Sequence, residues 1–133
     1  MGVGSGLSEA VQRFVAAYIS SIELLEVLLL LRKTETREWR AADVAREIGS
    51  SMMSIRDRLA SLAARRLVAA REQDDELWYR YAPEPEIRRV VDDLAKAYKE
   101  RRLTIIDLIY AKPAPSDIET FSDAFRIRKK EGE

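Results

Sequence analysis

The chain of 133 residues contains no cysteine and no histidine. Without them there is no thiolate nucleophile, no Cys/His zinc site, no Ser-His-Asp triad and no imidazole to titrate near neutral pH. Carboxylates, Lys, Tyr and Ser are the side chains left for catalysis. An excess of one charge is missing too: 23 Lys and Arg balance 23 Asp and Glu. The longest apolar run, Leu24 to Leu31, is interrupted by Glu26 and falls short of the roughly 20 residues a membrane helix needs. The first six residues carry neither a basic segment nor an apolar stretch of signal-peptide length. The expectation is a cytoplasmic protein with no membrane partner. What is present is 47% apolar and 35% charged residues, the balance of one helix-rich globular domain with room for a real core.

After a glycine-rich tip over residues 1–6, expected to be flexible, Leu7, Val11, Phe14, Val15, Tyr18 and Ile19 make the stripe of an amphipathic helix. Ser20 and Glu23 stand three apart as a capping box, so a second helix is expected to start there and run to about Lys33. It is apolar almost all round, from Ile22 through Leu31, and must be covered either by its own domain or by a partner chain. Residues 34–40 are charge-rich and place Trp39 in a loop or a very short strand.

Residues 41–48 form a short helix with Val44, Ala45 and Ile48 on one face, ended by Gly49, which supplies the left-handed residue. Ser51 caps the next helix, over 51–65, in which Ile55, Leu59 and Leu62 follow at helical spacing. Two helices joined by so short a turn form a helix-turn-helix unit. Residues 67–71 and 77–82 then read as two strands around a polar turn over 72–76, with Leu77, Tyr79 and Tyr81 alternating with Trp78 and Arg80. The fold class is mainly α: a winged helix-turn-helix with a short β-hairpin wing, flanking N-terminal helices and a long C-terminal helix.

That last helix carries Ile87, Val90, Val91, Leu94, Ala97 and Tyr98, a charged interruption over 99–102, and then Leu103, Ile105, Ile106, Leu108, Ile109 and Tyr110. Continuous from Glu86 to Lys112, it would be about 40 Å long at ~1.5 Å per residue. The main domain is therefore expected over 7–112, its terminal helices serving a homodimer. Pro113 and Pro115 open a linker and short tail over 113–133. There Ser116 and Glu119 form a capping pair, and Ile118, Phe121 and Phe125 make a stripe ahead of Arg126, Arg128, Lys129 and Lys130.

Val44-Ala45, Ile48-Gly49, Ser51, Ile55, Leu59, Leu62 and Leu67-Val68 resemble the winged helix-turn-helix domains of bacterial transcription regulators of the MarR and ArsR type. With the wing, the resemblance covers residues 41–82. Over the whole chain the sequence is also similar to a group of small bacterial winged-helix proteins, which supports the fold and implies no activity. Two positions depart from the pattern: Arg40 stands where the family usually has a Ser, Thr or Asp cap, and Ser50 where it usually has an apolar residue.

The resemblance implies double-stranded DNA as partner, with the second helix of the unit reading bases in the major groove and the wing holding phosphates. The candidate DNA-binding residues are Ser51, Met52, Met53, Ser54, Arg56, Asp57, Arg58, Ser61, Arg65, Arg71 and Arg80, with Arg56 as the guanine reader. Arg65 and Arg66 read equally as a solvated helix end. Met52 and Met53 suit thymine methyl groups or an adaptable protein-binding patch. The wing turn holds Glu72, Asp74, Asp75 and Glu76, and residues 50–82 carry six basic against five acidic side chains, a weak footprint for DNA. A protein-protein interaction module without DNA binding is the alternative. The acid pairs Asp74-Asp75 and Asp92-Asp93 read as solvated surface, and the early glycines over 2–6 follow no strand and so make no phosphate loop. No enzyme, cofactor or metal site is expected.

Overall fold

The structure, a computed structural model, describes residues 7–111. The glycine-rich tip and the tail with its Ser116 capping pair lie outside the described residues. Helices α1 (Glu9–Tyr18) and α2 (Ile22–Lys33) precede the helix-turn-helix pair α3 (Ala41–Ile48) and α4 (Met52–Ala64). Strands β1 (Val68–Gln73) and β2 (Glu76–Tyr81) form the wing, and α5 (Pro85–Glu100) and α6 (Arg102–Ala111) follow. Four of these helix starts have a local cause. Ser8, Ser21 and Ser51 accept the backbone N–H of Val11, Leu24 and Ser54, each at 3.1 Å, and Pro85 occupies the first turn of α5. The cap of α2 is Ser21 rather than Ser20, because Glu23 turns away from the helix start towards α4.

Helix α2 is the centre of the fold. Leu24, Leu25, Val27, Leu28 and Leu31 are buried, packed among α3, α4 and β2, so the chain itself covers most faces of this helix. Gly49 ends α3 at φ 84°, in the left-handed region. Ile55, Leu59 and Leu62 bury one face of α4 against α2 and leave the opposite face to solvent. No single helix among the described residues is long and apolar enough to cross a membrane.

The wing differs in detail from the sequence expectation. Its turn is the two residues Asp74 and Asp75, at φ 55° and 66°, and Glu72 and Glu76 belong to the strands. Two consecutive left-handed residues make the mirror-image turn whose twist matches paired strands, and Asp is among the few L-residues that enter that region readily. Trp39 adds a one-residue third strand, exchanging both N–H···O bonds with Tyr79 at 2.8 Å. Its indole N–H donates to the Thr34 hydroxyl at 2.9 Å.

The expected single helix from 86 to 112 is broken. Arg101 leaves helical geometry (φ −136°, ψ 54°), and α6 folds back so that it and α5 both pack on α1. The bend carries Ile105 and Ile109 into the common core beside Val91, Leu94 and Tyr98. Burying one isoleucine stabilises by about 1.5–3 kcal/mol, enough to offset an interrupted helical ladder in a charge-rich segment. Side chains lock the corner: the Tyr98 hydroxyl donates to Glu26 at 2.9 Å, and the Arg102 guanidinium lies 4.8 Å from the Tyr98 ring centre and 3.8 Å from Glu26. Leu103 and Tyr110, 74% and 67% exposed, remain on the outer face of α6.

Since Ile105 is fully enclosed by α1 and α5, Ile105→Ala is expected to cost about 2–5 kcal/mol. Denaturant unfolding should show a lower midpoint with an unchanged slope.

Candidate nucleic-acid interface

The exposed side of α4 begins at its cap. Ser51, Met52, Met53, Arg56, Asp57 and Ser61 all face solvent, with Met53 at 75% and Met52 at 38% exposure. Arg56 makes no hydrogen bond or ion pair among the described residues, and its charge acts on the neighbouring Tyr79 phenol, whose pKa burial raises and Arg56 opposes. This face stands on a rigid base, because Ile55, Leu59 and Leu62 fix the helix from beneath.

Two other candidate residues on α4 point elsewhere. Ser54 and Arg58 face α2, where the Ser54 hydroxyl and the Arg58 guanidinium both donate to Glu23 Oε1, the latter at 2.9 Å. The Ser50 hydroxyl donates to the same carboxylate, which is what a polar residue gains at a turn position where an apolar one was expected. These three donors, Ser50 foremost, hold the Glu23 carboxyl below its ordinary value of 4.5 against the opposing effect of burial. Glu23 was not among the sequence candidates. The signal for it was there, an acid inside an otherwise apolar helix, which has to find donors on a neighbouring element.

The remaining cations are scattered. Arg65, at the C-terminal end of α4, donates to the Ala17 carbonyl at 2.7 Å and lies 5.1 Å from the Tyr18 ring centre, tying α4 to α1. Arg66 adopts a left-handed φ of 63°. Arg71 binds both oxygens of Glu38, at 2.7 and 2.6 Å, and that pairing holds the Glu38 carboxyl low. Arg80 is exposed on β2. Side chains alternate across a hairpin, so Arg71 and Arg80 share the sheet face opposite to Tyr79 and Tyr81, whereas Arg56 lies on the Tyr79 side. Arg40 cannot cap α3 as a Ser would. Its guanidinium instead donates to Asp43 in the first turn at 3.1 and 3.2 Å, lowering the Asp43 carboxyl, and lies 3.7 Å from Glu76 of the wing.

Between α4 and the hairpin turn lies a cleft of about 520 Å³. Met52, Leu77 and Tyr79 supply apolar walls, while Asp57, Asp74, Asp75 and Glu76 set acids against the single Arg56. The acid of the wing tip is therefore next to α4 as well as in the hairpin sequence.

Folding lowers the Glu23 carboxyl, so the stability it contributes is present above its ordinary value of 4.5 and is lost as pH falls through the lower folded value. Glu23→Gln is expected to cost about 1–2 kcal/mol at neutral pH. Compared by urea unfolding along a pH series, the gap between wild type and variant should close as pH drops below 4.5.

No protein-family model matches the sequence, and no curated protein matches it. Solved structures do. MepR, a transcription regulator of the Staphylococcus aureus multidrug efflux pump MepA, superposes with a TM-score of 0.54 at 10% identity over 88% of this chain and 84% of its own. BpsR of Bordetella bronchiseptica, whose DNA binding is regulated by 6-hydroxynicotinic acid, gives 0.52 at 19% identity over 96% and 94%. Sco5413, a MarR-family transcriptional regulator from Streptomyces coelicolor, gives 0.51 at 20% identity over 89% and 79%. The antimony-specific repressor AntR gives 0.52 at 18% identity over 66% and 78%. At such identities the likeness speaks for the backbone: six helices and a two-stranded hairpin arranged in the winged helix-turn-helix fold of the MarR-type regulators.

Proposed function

We propose that the protein is a DNA-binding transcription regulator with no enzymatic activity, acting as a homodimer whose α4 helices enter successive major grooves. The observation that carries this reading is the exposed face of α4: Arg56 without an ion-pair partner among the described residues, flanked by Met52, Met53 and Ser61, on a helix anchored by three fully buried residues. Arg56 reads guanine, Met52 and Met53 meet thymine methyl groups, and the free backbone N–H groups of the first turn favour a phosphate. Ser54 and Arg58 serve as supports that hold α4 on α2. Arg65 does the same on α1, Arg71 is held by Glu38, and Arg80 is left to meet backbone from the outer face of the wing. The transcription regulators that share the backbone support the same class of activity.

The homodimer rests on α6. Leu103, Ile106 and Tyr110 recur at three and seven residues on one side of that helix, where two of them stay largely exposed, an apolar stripe suited to a two-fold contact with α1 and α6 of a second copy. A second reading has its own observation. The cluster of Asp57, Asp74, Asp75 and Glu76 beside α4 repels a duplex and favours a basic protein partner.

Selection from random genomic fragments across a salt series separates the two. A DNA reader enriches one sequence, with affinity falling steeply as salt rises, and Arg56→Ala relaxes specificity at one position by about 1–3 kcal/mol. Absence of binding at low salt overturns the reading in favour of the protein partner. For the assembly, light scattering of the wild type should give twice the chain mass, and Leu103→Glu combined with Tyr110→Glu should give the mass of one chain.

A further inference from the structure

The cleft beside α4 carries more acid than base, unlike a surface that attracts a duplex. Its acids Asp57, Asp74, Asp75 and Glu76 outnumber Arg56, and of the four only Glu76 has a cationic partner among the described residues, Arg40 at 3.7 Å. Its walls include two apolar side chains that water reaches, Leu77 at 47% and Met52 at 38% exposure. A volume of about 520 Å³ falls within the ~300–1,000 Å³ of sites that enclose small ligands, and so accommodates one or two large side chains. The occupant that such a cleft selects is apolar at its tip and basic around it.

The chain carries such a segment. From Phe121 to Lys130 there are two phenylalanines, four basic residues (Arg126, Arg128, Lys129 and Lys130) and one acid, Asp123. Nine residues, 112–120, separate α6 from Phe121, a tether of at most about 30 Å. A domain of about 100 residues has a radius of gyration near 13 Å, so the tether is comparable with the domain's own diameter.

We propose that residues 121–130 dock in the cleft between α4 and the wing of their own chain, with Phe121 and Phe125 against Met52 and Leu77 and the basic residues facing Asp57, Asp74 and Asp75. Seated there, the segment covers Met52 and Arg56. The docking does not depend on what α4 binds. Its regulatory consequence rests on the DNA-binding reading, in which nucleic acid and tail compete for the same side of α4.

The methionines provide the test. The chain holds three, Met1, Met52 and Met53. Met52 lines the cleft, whereas its neighbour Met53 does not line it and is 75% exposed. In full-length protein labelled with ¹³C at the methionine methyl groups, Phe121→Ala with Phe125→Ala is expected to move the Met52 resonance, through loss of the ring-current shift, and to leave Met53 in place. Asp74→Asn with Asp75→Gly keeps a turn that tolerates two left-handed residues while removing two cleft charges, and should move Met52 the same way, as should high salt in the wild type. A Met52 resonance indifferent to the tail and wing substitutions overturns the proposal. So does one that ignores the tail variant but shifts on addition of an unrelated basic amphipathic peptide, which would make the cleft a site for a partner in trans. No DNA enters this experiment, so its failure leaves the DNA-binding reading standing, and failure of DNA selection leaves the docking intact.

Discussion

A helix that is apolar on nearly every side has to be surrounded, and most of this fold follows from surrounding α2. Eight of its twelve residues are aliphatic, and five of those are buried. At about 1.5–3 kcal/mol for each enclosed aliphatic side chain, this helix contributes more to holding the domain together than any polar contact described above. The helix-turn-helix pair closes over one side, the wing reaches it through β2, and the Tyr98 region of α5 meets it at Glu26.

Packing of that kind is strong but does little to orient its partners, and two acids on α2 supply the direction. Glu23 gathers Ser50, Ser54 and Arg58 and so sets how α3, the turn and α4 sit on the core. Glu26, one turn further on, takes the Tyr98 hydroxyl and the nearby Arg102 at the corner where α5 gives way to α6. Spaced three apart, they lie close together on one side of the helix. The helix-turn-helix pair and the terminal helices are thus referenced to adjacent carboxylates on one element.

The distribution of charge is the second organising fact. A neutral total conceals a domain whose cations are largely committed within the fold: Arg58 to Glu23, Arg65 to Ala17 and Tyr18, Arg71 to Glu38, Arg40 to Asp43. What remains in the cleft beside α4 is Arg56 amid four acids. A surface of that kind exerts little long-range attraction on a polyanion, because steering needs excess positive charge.

Much of the fold was legible in the residues. The period of the apolar positions located α1, α2, α3 and α4, Gly49 and Ser51 marked the turn between α3 and α4, and the alternation at Tyr79 and Tyr81 marked a strand. These are local properties, set by φ, ψ and side-chain spacing within a few residues. The misses were of another kind. Charge at 99–102 signalled an interruption, but whether the helix carried on depended on what Ile105 and Ile109 would touch, and that is α1, some ninety residues away in the chain. Glu23 looked like half of a capping box until α4 and the turn before it offered three better donors. Arg58 looked like a groove-facing cation until the crossing of α4 over α2 turned it inwards. Apart from the break at Arg101, the sequence by itself determined which segments are helix, turn and strand, because each of those choices is made by neighbouring residues. Only the tertiary structure decided which charges are spent inside the fold and which reach solvent, because that depends on the angle and distance at which separate elements meet.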